Sequence, residues 1–327
     1  MKKNFMGVQA LNLALHELMA ADPKIVCVGE DIGTMGGCWT YFGGLKDKFG
    51  TKRVIQTPIA EQGYTAFGNG LAYGGYRPIV EYMFADFATL AADGIVNTAA
   101  KARYNSYGTL SLPITFIFPQ GAGQAGCQHC EVVDGWFANI PGLKLVAPTT
   151  PSDLRYYLKA AVMDDDPVCF YFSRPCAMSI KEDIDDEDQS IPTLTNAANI
   201  IREGKDLTVV AWQSCLLHTL AVVDEVEKET GASIEIIDPR VLMPLDTDKI
   251  FTSVKKTGKI LIAHESVSRG SIAQNISAVV AENCLADLKA PVKRVGAPNS
   301  FIPFGGVEQY ALPQPEDIKA AMLELLK

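Results

Sequence analysis

"RVIQTPIAEQGYTAFGNGLAYGGYRPIVEYMF", residues 53–84, places strand, helix and strand signals in close succession. "RVIQTPIAEQG" is a short β-branched run that leads through Pro58 into a turn carrying Glu61. "YTAFGNGLAYGG" reads as a helix of small residues that packs closely on its neighbours, and "RPIVEYMF" as the next strand. A strand, a helix and a second strand in this order form the unit from which parallel sheets are built.

The pattern repeats outward. "VQALNLALHELMAAD" (8–22) has helical spacing, and "KIVCVGED" (24–31) is a buried strand run ending in Gly29, Glu30 and Asp31. After residue 84 come a helix, "ATLAADGIVNTAAKARYNS", and the strands "LPITFIF" and "LKLVAPT". A helix opened by Pro151 and Ser152 and the strand "PVCFYFS" follow. The acidic stretch "KEDIDDEDQSIPTL" (181–194) reads as a solvated linker or surface strand. Beyond it lies a second alternation: "DLTVVAW", a helix ending at Gly231, "SIEIIDPRVLMPLD", "KILIAHE", the helix "SIAQNISAVVAENCL", "VKRVGAP" and a closing helix with Pro315 at its start. The expected fold is α/β, with a mostly parallel sheet covered by helices in each of two domains, residues 1–185 and 186–327.

Composition supports this. The 327 residues are 48% hydrophobic and 20% charged, enough for two cores and unlike a disordered chain. The net charge of −9 argues against a nucleic-acid or anionic-membrane surface. No run of about 20 uncharged apolar residues predicts a transmembrane helix. Gln9, Asn12, His16 and Glu17 interrupt the apolar N-terminal segment, as in an amphipathic helix rather than an export signal. With eight irregularly spaced cysteines, this predicts free thiols and a cytoplasmic location.

"GAGQAGCQHCEVVDGW" (121–136) poses the chemical question. Zinc needs about four ligands, yet no second CxxC occurs and His16, His218 and His264 are isolated. A redox CxxC usually opens a helix after a strand, whereas Cys127 and Cys130 follow a Gly-rich run inside a longer domain. The weight therefore falls on His129, in a loop after an apolar strand, where α/β proteins place their chemistry.

Glu30 and Glu61 each follow a predicted buried strand. Most glutamates are solvated, but two at strand ends with His129 at a third suggest one site for proton exchange or for holding a ring nitrogen. "EYMFADF" adds Tyr82, Phe84 and Phe87, aromatics that can stack on a planar heterocycle. No Walker sequence accompanies them. The chain reads as half a site, suited to a heterocycle and protons, with no grip for a diphosphate.

At "GED", "RVIQTPIAEQGY", "RPIVEYMFADF", "AAKARY", "QH", "IPGLKLVAPTTPSD" and "DDDPVCF" the chain resembles a known family. The resemblance continues through "IEIIDPRVLMPLD", "HESVSRGSIAQNISAVVAE" and "APVKRVGAPNSFIPF" and covers nearly the whole chain. The family is that of the beta subunits of the thiamine-diphosphate-dependent first component of 2-oxoacid dehydrogenase complexes, acetoin dehydrogenases included. It implies a pyrimidine-binding domain followed by a transketolase C-terminal-like domain. It also implies a partner alpha subunit, in an alpha2-beta2 assembly, whose GDG…NN motif holds magnesium and the diphosphate; no GDG occurs here.

By the same resemblance, Glu61 matches the glutamate that hydrogen-bonds the aminopyrimidine, and Phe87 the aromatic near that ring, with Tyr82 beside it. Glu30 matches an acid of an internal proton network, and His129 the loop histidine that assists acyl transfer to a lipoyl group. The flanking Cys127 and Cys130 depart from the family pattern. Backbone carbonyls at Ile114, Ala161, Val162, Asp164 and Asp166 match a potassium site. The implied reaction cleaves a carbon–carbon bond next to a carbonyl and passes the acyl unit to lipoyl-lysine of an acyltransferase core. "VEYMFADF" and "APNSFIPF" lean towards acetoin, with pyruvate and branched-chain oxoacids as alternatives. Rival readings are half of a split transketolase-like sugar enzyme, a non-catalytic assembly subunit, and a thiol-redox or metal protein.

Overall fold

The runs "IVCVGE", "TFIFPQ" and "VCFYFS" become strands in which every residue is buried, as in a sheet covered on both faces. The computed structural model describes residues 2–327, which divide into two compact units. The first extends to Gln120 and includes Phe137–Leu194; the second comprises Gly121–Trp136 and Thr195–Lys327. The loop bearing His129 thus groups with the later part of the chain.

The strands of the first unit are β1 (Lys2–Met6), β2 (Ile25–Glu30), β3 (Val54–Thr57), β4 (Arg77–Glu81), β5 (Thr115–Gln120), β6 (Lys144–Val146), β7 (Val168–Ser173) and β8 (Lys181–Asp185). Its main sheet runs β6-β7-β5-β4-β2-β3, and the pairs within it are parallel. From β2 the chain adds β3 on one side, then returns to place β4 on the other. Ligands of open α/β sheets bind at such a reversal, beyond the strands' C-terminal ends. β2 ends at Glu30 and β4 at Glu81.

Helix ends follow local chemistry. Thr150 caps the helix Pro151–Met163 by accepting from the Asp153 amide, and Ser173 caps Arg174–Ser179 through the Cys176 amide. The acidic stretch is partly a strand: β8 pairs antiparallel with β1, register Lys2↔Asp185 to Met6↔Lys181. The long helix expected over 88–106 is broken. Its middle, Gly94–Ala99, is wound as a π-helix between the helices Ala88–Asp93 and Ala102–Asn105. Gly94 lies against the helix Glu61–Tyr73, where a Cβ would meet Thr65 Cγ2 at 2.7 Å and where its carbonyl accepts from Asn69 at 2.9 Å.

The second unit's strands are β9 (Asn199–Arg202), β10 (Leu207–Ala211), β11 (Ile234–Asp238), β12 (Val241–Met243), β13 (Ile260–Val267) and β14 (Lys293–Ala297). One sheet runs β14-β13-β10-β11-β9, parallel except for the edge strand β9. All of β9 is half-buried, so it lacks the alternation that marks a strand in sequence. The helices Ser214–Thr230 and Pro315–Leu326 bury Leu216, Val223, Val226, Ile318 and Met322 against Val209, Ile236 and Leu261. Gly231, at φ 71°, ends the first of them in the left-handed region. Here too the strand order reverses, between β10 and β13. Among the described residues, no helix is long and apolar enough to cross a membrane.

Candidate active site

Three carboxylates meet the reversal point of the first unit. Glu30 closes β2, Glu81 closes β4, and Glu61 is the first residue of the helix Glu61–Tyr73, which follows β3. Their residual exposures are 4%, 0% and 6%. Burying charge is costly, so such groups hold a proton or await a polar partner. Among the described residues, Glu30 Oε1 and Glu81 Oε2 have no hydrogen-bond partner.

Burial is the first cause that raises the Glu30 pKa from its ordinary value, with the charge of Glu61 second; the Tyr64 hydroxyl opposes both. Glu81 is pushed up to about 8, again chiefly by burial. Tyr41 donates to Glu81 Oε1 at 3.3 Å and opposes the shift, while Glu30 and Asp31 add to it. The sequence reading passed over Glu81 because it lies inside the strand run "RPIVEYMF". The signal it offered was a charged residue directly after the apolar run Pro78–Val80.

The aromatic residues divide. Tyr82 is fully buried, its ring stacks on Phe118 at 4.8 Å and 11°, and its hydroxyl meets Thr65 Oγ1 at 2.6 Å. Thr65 in turn donates to the Glu61 carbonyl at 2.6 Å. Tyr82 thus stands in the core behind the first turn of the Glu61 helix, with no open face for a ring. Phe87 is half-buried and meets Phe84 edge-on at 5.7 Å; Phe84 meets Trp39 edge-on at 5.5 Å. The Arg174 guanidinium lies 5.2 Å from the ring centroids of both Trp39 and Phe84. Neither Trp39 nor Arg174 was singled out from sequence, since each is distant in sequence from the residues it meets.

His129 belongs to the second unit and is half-buried, its amide donating to the Gly126 carbonyl at 3.1 Å. Cys127 is exposed, whereas Cys130 is buried and its Sγ accepts from the Ala125 amide at 3.3 Å. All eight cysteines are free.

The carbonyls that matched a potassium site lie in the first unit. Those of Val162 and Asp164 both accept from Arg77 Nη1, at 3.2 and 2.9 Å, and that of Ile114 accepts from the Val168 amide at 3.0 Å. Each acid of the turn has a basic partner at 2.6 Å: Asp164 with Lys144, Asp165 with Arg77, Asp166 with Arg103. A guanidinium therefore already supplies positive charge to two of the matched carbonyls, at the C-terminus of the helix Pro151–Met163, where the helix dipole favours a cation.

An open groove of about 490 Å³, lined by Lys3, Gln9, Asn12 and His16 among others, includes none of the three carboxylates. The Asn12 and His16 side chains there bond to the Gly43 carbonyl.

Residues 4–178 match the family pattern described as "Transketolase, pyrimidine binding domain", and residues 196–318 match "Transketolase, C-terminal domain". The chain is 39% identical over 321 residues to the 2-oxoisovalerate dehydrogenase subunit beta of Bacillus subtilis (strain 168), covering 97% of each. It is 38% identical over 331 residues to the acetoin:2,6-dichlorophenolindophenol oxidoreductase subunit beta of the same organism, covering 97% of this chain and 96% of the relative. A solved split-gene transketolase, described as an inactive beta4 tetramer, is similar with a TM-score of 0.81 and 23% identity over 99% of both chains, a likeness of fold. The transketolase-like domain pair and this identity along the whole length place the chain in the family of beta subunits of the first component of 2-oxoacid and acetoin dehydrogenase complexes.

Proposed function

We propose that this chain is the beta half of a thiamine-diphosphate-dependent dehydrogenase that cleaves the carbon–carbon bond next to a carbonyl and passes the acyl unit to lipoyl-lysine. The observation that carries the reading is the buried carboxylate set Glu30, Glu61 and Glu81 at the reversal point of a pyrimidine-binding-type unit. Buried acids with orphan oxygens suit a polar heterocycle that can satisfy them. When bound, thiamine diphosphate supplies a carbanion-forming carbon and a sink for the electron pair released on cleavage.

The chain's own residues would do the following. Glu61 accepts or gives a hydrogen bond at a pyrimidine nitrogen and fixes its protonation state. Glu30, raised by burial and by Glu61, relays a proton to or from that carboxylate. Phe87 and the Trp39–Phe84 cluster wall the site with apolar surface, which keeps water from the protons being moved. His129 gives or takes a proton as the acyl group leaves for the lipoyl sulfur. Magnesium and the diphosphate would be held by an alpha subunit in an alpha2-beta2 assembly. A monovalent cation would share the Val162 and Asp164 carbonyls with Arg77, and no step here depends on one.

Acetoin leads as substrate, on the two sequence stretches that lean towards it, with pyruvate and branched-chain 2-oxoacids as the competing choices. The reading is tested by isolating the chain from native extract under mild conditions and identifying by mass spectrometry what co-purifies. A stoichiometric partner carrying GDG…NN, together with a lipoyl acyltransferase, is the expected result. Turnover of that assembly on acetoin, pyruvate and 2-oxoisovalerate then ranks the substrates. A chain that comes out alone and binds thiamine diphosphate tightly by itself would refute the shared site, and activity on a pentose phosphate instead of lipoamide would refute the dehydrogenase.

A further inference from the structure

The loop around His129 is fastened to its own unit by acids far away in sequence. The Ala122 amide donates to Glu265 Oε1 at 2.6 Å. The Gly123 amide donates to Glu308 Oε1 and Oε2 at 3.2 and 3.1 Å, and the Gln124 amide to Glu308 Oε2 at 2.7 Å. Consecutive amides thus converge on two carboxylates that are themselves 6% and 8% exposed. Such a concavity of N–H groups is a favourable anion site, here filled from within the chain.

The segment around Glu308 grips the loop a second time. Gly305 donates its amide to the Gln124 carbonyl at 3.1 Å, and Ala125 pairs with Phe304 as an isolated antiparallel bridge. Gln124, at φ 57°, occupies the left-handed region that non-glycine residues adopt only when held there. From Ala125 the connection runs to Cys130 Sγ, and from Gly126 to the His129 amide. Beyond the histidine, Trp212 Nε1 donates to the buried Asp134 at 3.2 Å. Glu265 lies in β13 and Trp212 follows β10, the strands between which this unit's order reverses.

We propose that Glu308, with Glu265, is a positioning residue that sets the conformation of the His129 loop. The two carboxylates act through the backbone of residues 122–124, and Cys130 serves the loop as a buried acceptor. This inference rests on the reading that His129 assists acyl transfer. Neither acid is assigned contact with substrate or cofactor. Their effect falls on the transfer step, because that is the step for which the loop must hold its shape.

The experiment uses the assembled enzyme with its alpha partner and lipoyl acyltransferase, and two rates. Dye reduction by substrate reports bond cleavage without lipoyl transfer; acyl transfer to the lipoyl domain reports both. Glu308→Ala is expected to lower the ratio of transfer to dye reduction about tenfold or more, since charge-assisted hydrogen bonds are lost and a misplaced group costs rate steeply. Glu308→Gln keeps an acceptor oxygen and should restore the ratio to within about threefold of wild type. Hydrogen exchange of the Gly123 and Gln124 amides should quicken in the alanine variant and not in the glutamine one. A wild-type ratio in Glu308→Ala, while His129→Ala loses transfer, would overturn the positioning role and leave the His129 reading standing. A wild-type ratio in His129→Ala would overturn that reading and this inference with it. Equal loss of both rates in both Glu308 variants would mark a structural defect and overturn it as well.

Discussion

At Glu81, full burial outweighs one hydrogen bond. Tyr41 favours the charged form, yet the carboxyl is driven up to about 8 and holds its proton at neutrality. An unfolded chain would release that proton near the ordinary value of 4.5. Between the two values the folded state binds a proton that the unfolded state does not, so stability is full below about 4.5 and is lost as pH rises towards 8. The contribution is on the order of a few kcal/mol. Glu81→Gln should therefore flatten the fall in thermal midpoint of the purified chain between pH 5 and 8, and an unchanged fall would assign it to other groups. Glu30 and Glu61 were legible in the sequence because each stands at the end of a strand signal, although the strand before Glu61 is only partly buried and three exposed residues separate the two. Glu81 was not, because a strand's own residues are read for alternation and not for chemistry. Glu265 and Glu308 were beyond such reading altogether, since their partners lie 143 and 184 to 185 positions away.

The helix Glu61–Tyr73 carries Glu61 only as accurately as it packs. A Cβ on Gly68 would lie 2.6 Å from Val80 Cγ2 and 3.3 Å from Ile114 Cδ1, so the small-residue face is what lets this helix approach β4 and the residue that precedes β5. Gly68→Ala should cost about 1–3 kcal/mol of stability by overpacking and lower turnover by tilting the helix that starts at Glu61. Adding Val80→Ala should recover part of both, measured by thermal unfolding and by turnover of the assembled enzyme. Recovery of neither would mean that Gly68 matters for another reason. The close packing was legible in "YTAFGNGLAYGG", as were the buried strands and the capped helices. The break at Gly94–Ala99 was not, because it answers a neighbour, the Thr65–Asn69 turn, that no local pattern reveals. The edge strand β1 escaped for the related reason that a mostly exposed strand lacks the hydrophobic alternation that betrays one, while its partner β8 lies in the acidic stretch that reads as a linker or surface strand.

Across the whole chain, two α/β units each reverse their strand order, and each places buried acids at that reversal: Glu30 and Glu81 in the first, Glu265 in the second. The alternation of strands and helices announced both units. The grouping of residues 121–136 with the second unit was not announced, because it depends on amides meeting distant carboxylates. On this account the first unit supplies the proton chemistry of a cofactor held with another subunit, and Glu61 is the group on which that chemistry turns. The measurement to make is the turnover of the assembled enzyme, with substrate and an artificial electron acceptor, for wild type and Glu61→Gln. The amide keeps size and hydrogen-bonding reach but cannot exchange a proton, so turnover should fall by roughly 10²–10⁴-fold with assembly and thermal midpoint preserved. Wild-type turnover in a fully assembled Glu61→Gln enzyme would show that this chain shapes the complex without carrying its chemistry.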